Sequence, residues 1–163
     1  MNLSNIIKNT FLVILLSLVV SACASKKTTS TKSDSQITGD VYTGTDTVEY
    51  LAKGVPDRVF FATNESILTT KSRDTLRKQA AWLRENSDVN VVIEGHADER
   101  GTREYNLALG ERRANAAKDY LMTYGISADR ISVISYGKER PVDSGSNALS
   151  WSKNRRSVTV KAN

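Results

Sequence analysis

The 163-residue chain has one cysteine, one histidine and few long runs of apolar residues. A single cysteine cannot form an intramolecular disulfide. A single histidine provides little for a histidine-rich metal centre, or for a Ser-His or Cys-His catalytic pair. The longest apolar run, FLVILLSLVV at residues 11–20, is only about half as long as a membrane-spanning helix requires.

The chain also has no concentration of charge of one sign. Its 23 basic and 18 acidic residues are interspersed, giving a net charge of +5 and an isoelectric point near 9.4. The paired arginines, Arg112-Arg113 and Arg155-Arg156, have no interleaved aromatic residues with which bases would stack. This pattern argues against nucleic-acid binding, but a basic surface close to an anionic lipid or polymer remains compatible with it.

The first 22 residues have the pattern of a secretory signal. Lys8 precedes the apolar run, and the small residues Ser21 and Ala22 follow it. A charged start, an apolar centre and small residues at the end are typical of a cleaved export signal. An uncleaved membrane anchor is the alternative, and the shortness of the run argues against it.

Cys23 follows this segment directly, and VSAC (residues 20–23) resembles a bacterial lipobox. The resemblance implies cleavage before Cys23 and a covalent lipid on its sulfur, with no other cofactor. Several acyl chains hold a protein at a membrane where one chain does not. Ala24, rather than aspartate, after the cysteine implies the outer membrane, with the rest of the chain facing the periplasm. A cysteine placed here by chance is the alternative.

The segment that follows Cys23 is polar. Eleven of residues 24–47 are Ser or Thr, and few are apolar. Such a composition does not bury enough surface to offset the entropy of ordering, which predicts a disordered tether. The expected organisation is a signal peptide at 1–22, a lipidated cysteine and tether at 23–50, and a folded domain at 51–163.

The remaining sequence alternates strand and helix patterns. Strands are predicted at DRVFFA (57–62), VNVVIEGHAD (89–98), RISVISYG (130–137) and RRSVTVKA (155–162). A helix is expected after a Thr69 or Thr70 cap, with Leu76, Ala80 and Leu83 on its apolar face. A second, longer helix is expected to end near Gly125, and SNALSWSKN (146–154) looks like a short helical turn. These elements predict an α+β two-layer sandwich, with helices on one face of a mixed four-stranded sheet.

The long helix carries an unexpected arginine. Leu109, Arg113, Ala117 and Leu121 fall at four-residue steps, so Arg113 lies on an otherwise apolar face. Asp98, at the end of the second strand, is its candidate partner. Either the two form a buried ion pair that only holds the loop, or they line a polar pocket. A guanidinium fork and a carboxylate suit the carboxylate and ammonium of an amino acid, with the helix N-terminus favouring the anion.

Two other functions are possible for the same loop. Glu94, His96 and Asp98 alternate along a strand and are a possible metal site, although a lone histidine is more often structural. Glycan hydrolysis needs two carboxylates that flank one bond, whereas Asp98 and Glu99 are adjacent and diverge. The sequence therefore predicts a binding protein rather than an enzyme.

Several spaced motifs resemble the OmpA-like C-terminal domain family, and more closely its lipid-anchored members. They are VVIEGHADERGTREYNLALGERRANAAKDYL (91–121), ISYGKERP (134–141) and SKNRRSVTV (152–160). The similarity extends over about residues 55–160. It implies a periplasmic domain that binds peptidoglycan non-covalently through meso-diaminopimelate of the stem peptide. The residues that correspond to the family's aspartate and arginine are Asp98 and Arg113; Leu109 is expected to wall the pocket and Asn106 to order the loop.

The resemblance further implies partners and one departure. The family works with the Tol system, notably TolB, in envelope integrity and in drawing the outer membrane inward at cell division. Candidate contact residues for this partner lie on an exposed charged surface: Glu99, Arg100, Arg103 and Glu111. An ordinary hydrophilic loop is the alternative explanation of that surface. Where the family usually has an acidic residue, this chain has Ala62, and Thr63 and Asn64 are expected to supply hydrogen bonds instead.

Overall fold

The computed structural model describes residues 37–162. The predictions for residues 1–36, including the signal peptide, Cys23 and Ala24, lie outside this range. The strands, in chain order, are β1 (Ile37–Thr38), β2 (Val41–Tyr42), β3 (Tyr50–Ala52), β4 (Val55–Pro56), β5 (Arg58–Phe60), β6 (Val91–His96), β7 (Ile131–Gly137) and β8 (Arg156–Lys161). The α-helices are α1 (Thr70–Glu85), α2 (Arg103–Thr123) and α3 (Ala148–Asn154).

The central sheet has the strand order β5-β8-β6-β7. β6 and β7 pair in parallel, with α2 as their crossover, while β8 pairs antiparallel with both β5 and β6. A buried cluster joins α1 and α2 to the sheet; among its members are Val59, Leu76, Leu83, Val91, Ile93, Ala114, Ala117, Leu121 and Ile131. The predicted α+β sandwich with a mixed four-stranded sheet is therefore confirmed.

The helix boundaries follow from capping. Of the two caps that the sequence allowed, Thr69 is the one that caps α1, by accepting a hydrogen bond from the Ser72 backbone amide. Thr102 caps α2 in the same way, by accepting from the Tyr105 backbone amide. Gly125 has a φ of +84°, a left-handed conformation that favours glycine, two residues after α2 ends.

Two glycines set the distance between α2 and β6. A Cβ atom built on Gly95 would lie 1.8 Å from the carbonyl oxygen of Gly110, so the helix backbone rests directly on the strand. Arg113 lies one turn further along α2, and long helical side chains lean toward the helix N-terminus. The close contact therefore brings Arg113 to the carboxyl end of β6.

Packed residues also occur upstream of the predicted domain start at residue 51. β1 and β2 form a short antiparallel hairpin, and Tyr42 is fully buried, with its ring 4.8 Å from that of Phe60. Lys71 donates to the Thr43 carbonyl, and Lys153 pairs with Asp46 at 2.9 Å. Residues 42–46 are thus held against the domain.

Candidate functional site

The Arg113 side chain is completely buried and is held by backbone carbonyls. Its Nε donates to Glu65 O at 2.8 Å, one Nη to His96 O at 2.8 Å and the other Nη to Ala62 O at 2.9 Å. The guanidinium also lies over the ring of Phe61, at 5.3 Å. Arg113 therefore ties the loop between β5 and α1 to the end of β6.

Burial lowers the pKa of Arg113 to about 10; the positive charge of Arg155 lowers it further and the negative charge of Asp98 opposes both. The guanidinium nevertheless stays charged at neutral pH. Three of its five N–H groups are used by the carbonyls, so one N–H on each Nη has no acceptor among residues 37–162.

Asp98 binds two other arginines. Its Oδ1 accepts from the backbone amide and Nε of Arg100, both at 3.1 Å. Its Oδ2 accepts from Nη2 of Arg100 at 2.7 Å and from Nη1 of Arg155 at 3.3 Å. Burial works to raise the pKa of Asp98, but the hydrogen bonds from Arg100 and then Arg155 hold it below its usual range. Asp98 is a carboxylate at neutral pH.

These contacts exclude the predicted alternative of a direct Asp98–Arg113 ion pair, because the ion pairs of Asp98 are with Arg100 and Arg155. The contribution of the α2 N-terminus to anion binding stays a prediction. Asp98, Arg100, Arg113 and Arg155, with loop residues 62–65, are called the Asp98 site below.

The other predicted residues lie around this site. The Thr63 hydroxyl accepts from Nη2 of Arg100 at 3.3 Å, and Asn64 is exposed with a φ of +58°. Asn106 is buried and donates to the carbonyl of Arg100 at 2.8 Å, a contact that orders the loop after β6. Leu109 is buried in α2, one turn before Arg113.

Arg155 was not predicted as a site residue. It is only 2% exposed, and its Nε donates to Phe61 O at 3.1 Å. Arg155 immediately precedes β8, which pairs antiparallel with β5 and β6, so its side chain reaches the ends of both strands. The sequence did show an arginine at the start of the last predicted strand. Only the strand order, which places that strand between β5 and β6, reveals that this arginine lies beside Asp98.

The exposed charged surface is partly committed to internal contacts. Arg100 lies over the Trp151 ring at 4.3 Å in addition to binding Asp98. Glu99 accepts from the Trp151 indole N–H at 2.9 Å, and Arg103 lies 3.3 Å from a carboxylate oxygen of Glu139. Glu111 is exposed. Arg100 is thus a component of the Asp98 site, whereas the sequence placed it only on the outer surface.

The alternative metal-ligand set of Glu94, His96 and Asp98 does not assemble. A register shift follows Gly95, and within residues 37–162 no group of three or more His, Cys, Asp or Glu side chains is arranged to hold a metal ion. His96 Nε2 lies 3.5 Å from Glu94, whereas Asp98 is bound by arginines. In the same part of the chain, no helix is both long enough and apolar enough to cross a membrane.

Comparisons with known proteins agree with this architecture. The OmpA family model matches residues 60–155. The chain is 45% identical over 143 residues to the peptidoglycan-associated lipoprotein of Mesorhizobium japonicum, covering 88% of this chain and 85% of the relative. It is 44% identical over 145 residues to that of Brucella melitensis, covering 89% and 86%.

A solved structure is similar as well. The crystal structure of the peptidoglycan-associated lipoprotein from Burkholderia pseudomallei has a TM-score of 0.64 and 35% sequence identity. The match covers 65% of this chain and 90% of that one. The chain therefore belongs to the OmpA family and, within it, to the peptidoglycan-associated lipoproteins.

Proposed function

We propose that this protein is an outer-membrane lipoprotein that binds peptidoglycan non-covalently, through meso-diaminopimelate of the stem peptide. Membership of the peptidoglycan-associated lipoproteins supports wall binding. The observation that carries the finer assignment is a shielded carboxylate, Asp98, surrounded by three arginines at one corner of the sheet. Opposite charges this close together match the ammonium and carboxylate on the free end of an amino acid.

Asp98 would receive the ammonium. Its two oxygens already accept four hydrogen bonds, three of them from Arg100. The Arg100 side chain is 43% exposed, whereas that of Arg155 is only 2% exposed. A ligand ammonium therefore takes the place of the Arg100 guanidinium, while Arg155 stays and keeps Asp98 ionised.

The ligand carboxylate would lie on the arginine side of the Asp98 site. Arg113 has two N–H groups to offer, but its complete burial means that the loop at residues 62–65 must shift before a ligand touches it. Thr63 and Asn64, both in this loop, supply further polar groups. Asn106 and Leu109 support the site from α2.

The test is sedimentation of the protein with purified sacculi, in competition with free meso-diaminopimelate. Asp98→Asn should lose most sedimentation, because an amide has no charge to hold the ammonium. Asp129→Asn is the control, since Asp129 is an exposed carboxylate outside the Asp98 site. Equal sedimentation of Asp98→Asn and the parent would contradict the assignment.

The protein is proposed to act by binding alone. A general acid for glycan cleavage needs a raised pKa, whereas that of Asp98 is lowered. Sacculi incubated with the protein should therefore release no muropeptides. Release that disappears in Asp98→Asn would identify an enzyme instead.

Two further parts of the proposal rest on the family resemblance. A lipid on Cys23 would place the protein in the outer membrane, facing the periplasm, so Cys23→Ser should move it to the soluble periplasmic fraction. Continued membrane fractionation would argue against lipidation. A link to the Tol system predicts that TolB co-purifies with the parent; absence of TolB after crosslinking in cells would argue against that link.

A further inference from the structure

An acidic turn from the N-terminal hairpin is seated on the Asp98 site. Gly39 and Asp40 form the two-residue turn between β1 and β2, and Gly39 has a φ of +64°. A left-handed glycine at the first turn position is typical of tight hairpins. The turn points the Asp40 side chain at the loop between β5 and α1, 23 residues further along the chain.

The Asp40 carboxylate is bound as a ligand carboxylate would be. Its Oδ2 accepts from the backbone amide of Thr63 at 2.6 Å, and its Oδ1 accepts from Nη2 of Arg155 at 2.8 Å. The same Nη2 donates to the Asp40 backbone carbonyl. One backbone N–H and one guanidinium, each donating to a different carboxylate oxygen, are a suitable set of donors for that group.

The hairpin is positioned by residues just after the turn rather than by Asp40 itself. Tyr42 is completely buried against Phe60, Lys71 binds the Thr43 carbonyl, and Lys153 binds Asp46. The Asp40 side chain, in contrast, is 51% exposed. The turn is therefore held at the site by an anchored segment, while the carboxylate itself remains accessible to solvent.

We infer that the Thr63 amide and Arg155 form the subsite for the ligand's carboxylate, and that Asp40 occupies this subsite as an internal competitor. The inference rests on the proposed function. The Asp40 carboxylate, bound to the Thr63 amide and Arg155, would repel the ligand carboxylate. The two carboxylates therefore cannot bind these donors at the same time.

With competition of this kind, the apparent affinity equals the intrinsic affinity multiplied by the fraction of molecules whose subsite is open. A half-exposed carboxylate on two donors is a modest contact. If the turn is seated in about 70 to 90% of molecules, removing its carboxylate should tighten wall binding about three- to tenfold. The gain should shrink in high salt, because the contact is between partly exposed charges.

The experiment compares Asp40→Ala with the matched control Glu49→Ala in the full-length protein. Both residues are exposed acids that pair with an arginine, but Glu49 pairs with Arg58 at 3.4 Å, away from Thr63 and Arg155, and does not anchor the hairpin. Affinity for sacculi is measured by sedimentation, and the Thr63 amide is followed by NMR. Asp40→Ala should bind more tightly, with a shifted Thr63 amide, and Glu49→Ala should match the parent.

Three results would separate the possibilities. Unchanged affinity in Asp40→Ala, with a parent that binds sacculi, overturns the competition. Weaker binding overturns it too, and would make Asp40 a contact of the ligand. Failure of the parent itself to bind sacculi refutes the proposed function, independently of Asp40.

Discussion

The Arg113 side chain offers a quantitative test of how the Asp98 site is built. Its three hydrogen bonds to Glu65 O, His96 O and Ala62 O are all from a charged donor to the backbone. Such bonds contribute about 1.5–3 kcal/mol each, and buried carbonyls left without a donor are destabilising. Arg113→Ala should therefore lower the free energy of unfolding by about 4–6 kcal/mol, allowing for partial access of water to the vacated space.

Arg113→Lys separates charge from geometry. A single ammonium keeps the charge, but it cannot point three N–H groups at carbonyls that lie in three directions. We expect a loss of about 2–3 kcal/mol, intermediate between the parent and Arg113→Ala. Arg112→Ala is the matched control, because Arg112 is the exposed neighbour on the same helix turn and should change stability by less than about 0.5 kcal/mol.

The assay is urea unfolding followed by circular dichroism at 25 °C. Because small domains have unfolding free energies of about 5–15 kcal/mol, this loss is a large share of the total, and loss of wall binding in Arg113→Ala alone would not identify a ligand contact. If Arg113→Ala instead unfolds within about 1 kcal/mol of the parent, then the carbonyl bonds do not hold the loop, and our reasoning is wrong.

Three further results are expected. Burial, followed by the charges of Arg156 and Arg58, lowers the pKa of His96 to about 3. Because the unfolded imidazole binds a proton near pH 6.5, the free energy of unfolding should fall as the pH drops from 6.5 toward 4. This pH dependence should be absent in His96→Gln. The pKa of Asp98 is depressed in the folded protein, so its carboxylate stabilises the fold above the unfolded pKa of about 3.9. In acid unfolding, the parent should therefore lose stability below about pH 4 more steeply than Asp98→Asn. Gly95→Ala places a methyl group 1.8 Å from Gly110 O, which should lower unfolding stability by at least about 1–3 kcal/mol; parent-like urea unfolding would contradict the close contact.

The sequence predicted the elements that have strong periodicity or caps. The Thr69 cap, the Leu76-Ala80-Leu83 face and the end of α2 near Gly125 are set by neighbouring residues, so local reasoning finds them. The strands β1 to β4 have only two or three residues each. A strand of two residues is too short to show an alternation of apolar and polar side chains. The hairpin strands β1 and β2 also lie in a Ser/Thr-rich stretch whose composition is typical of a tether.

The sequence pointed to Asp98 and Arg113 as candidate site residues, but it did not reveal the contacts that they make. A buried arginine on an apolar helix face required partners, and Asp98, at the end of the strand that precedes the long helix, was the acidic candidate. The actual acceptors for Arg113 are backbone carbonyls, which every sequence contains and none reveals. Arg155 reaches Asp98 because of the strand order, and Asp40 reaches Thr63 from a hairpin that is distant along the chain. Neither arrangement follows from spacing in the sequence.

The most direct test of the central claim is a structure of the protein with bound meso-diaminopimelate. We predict that the ligand ammonium lies within hydrogen-bonding distance of the Asp98 carboxylate, with the Arg100 side chain displaced from it. A ligand bound at another face, with the Asp98–Arg100 pair intact, would contradict the account.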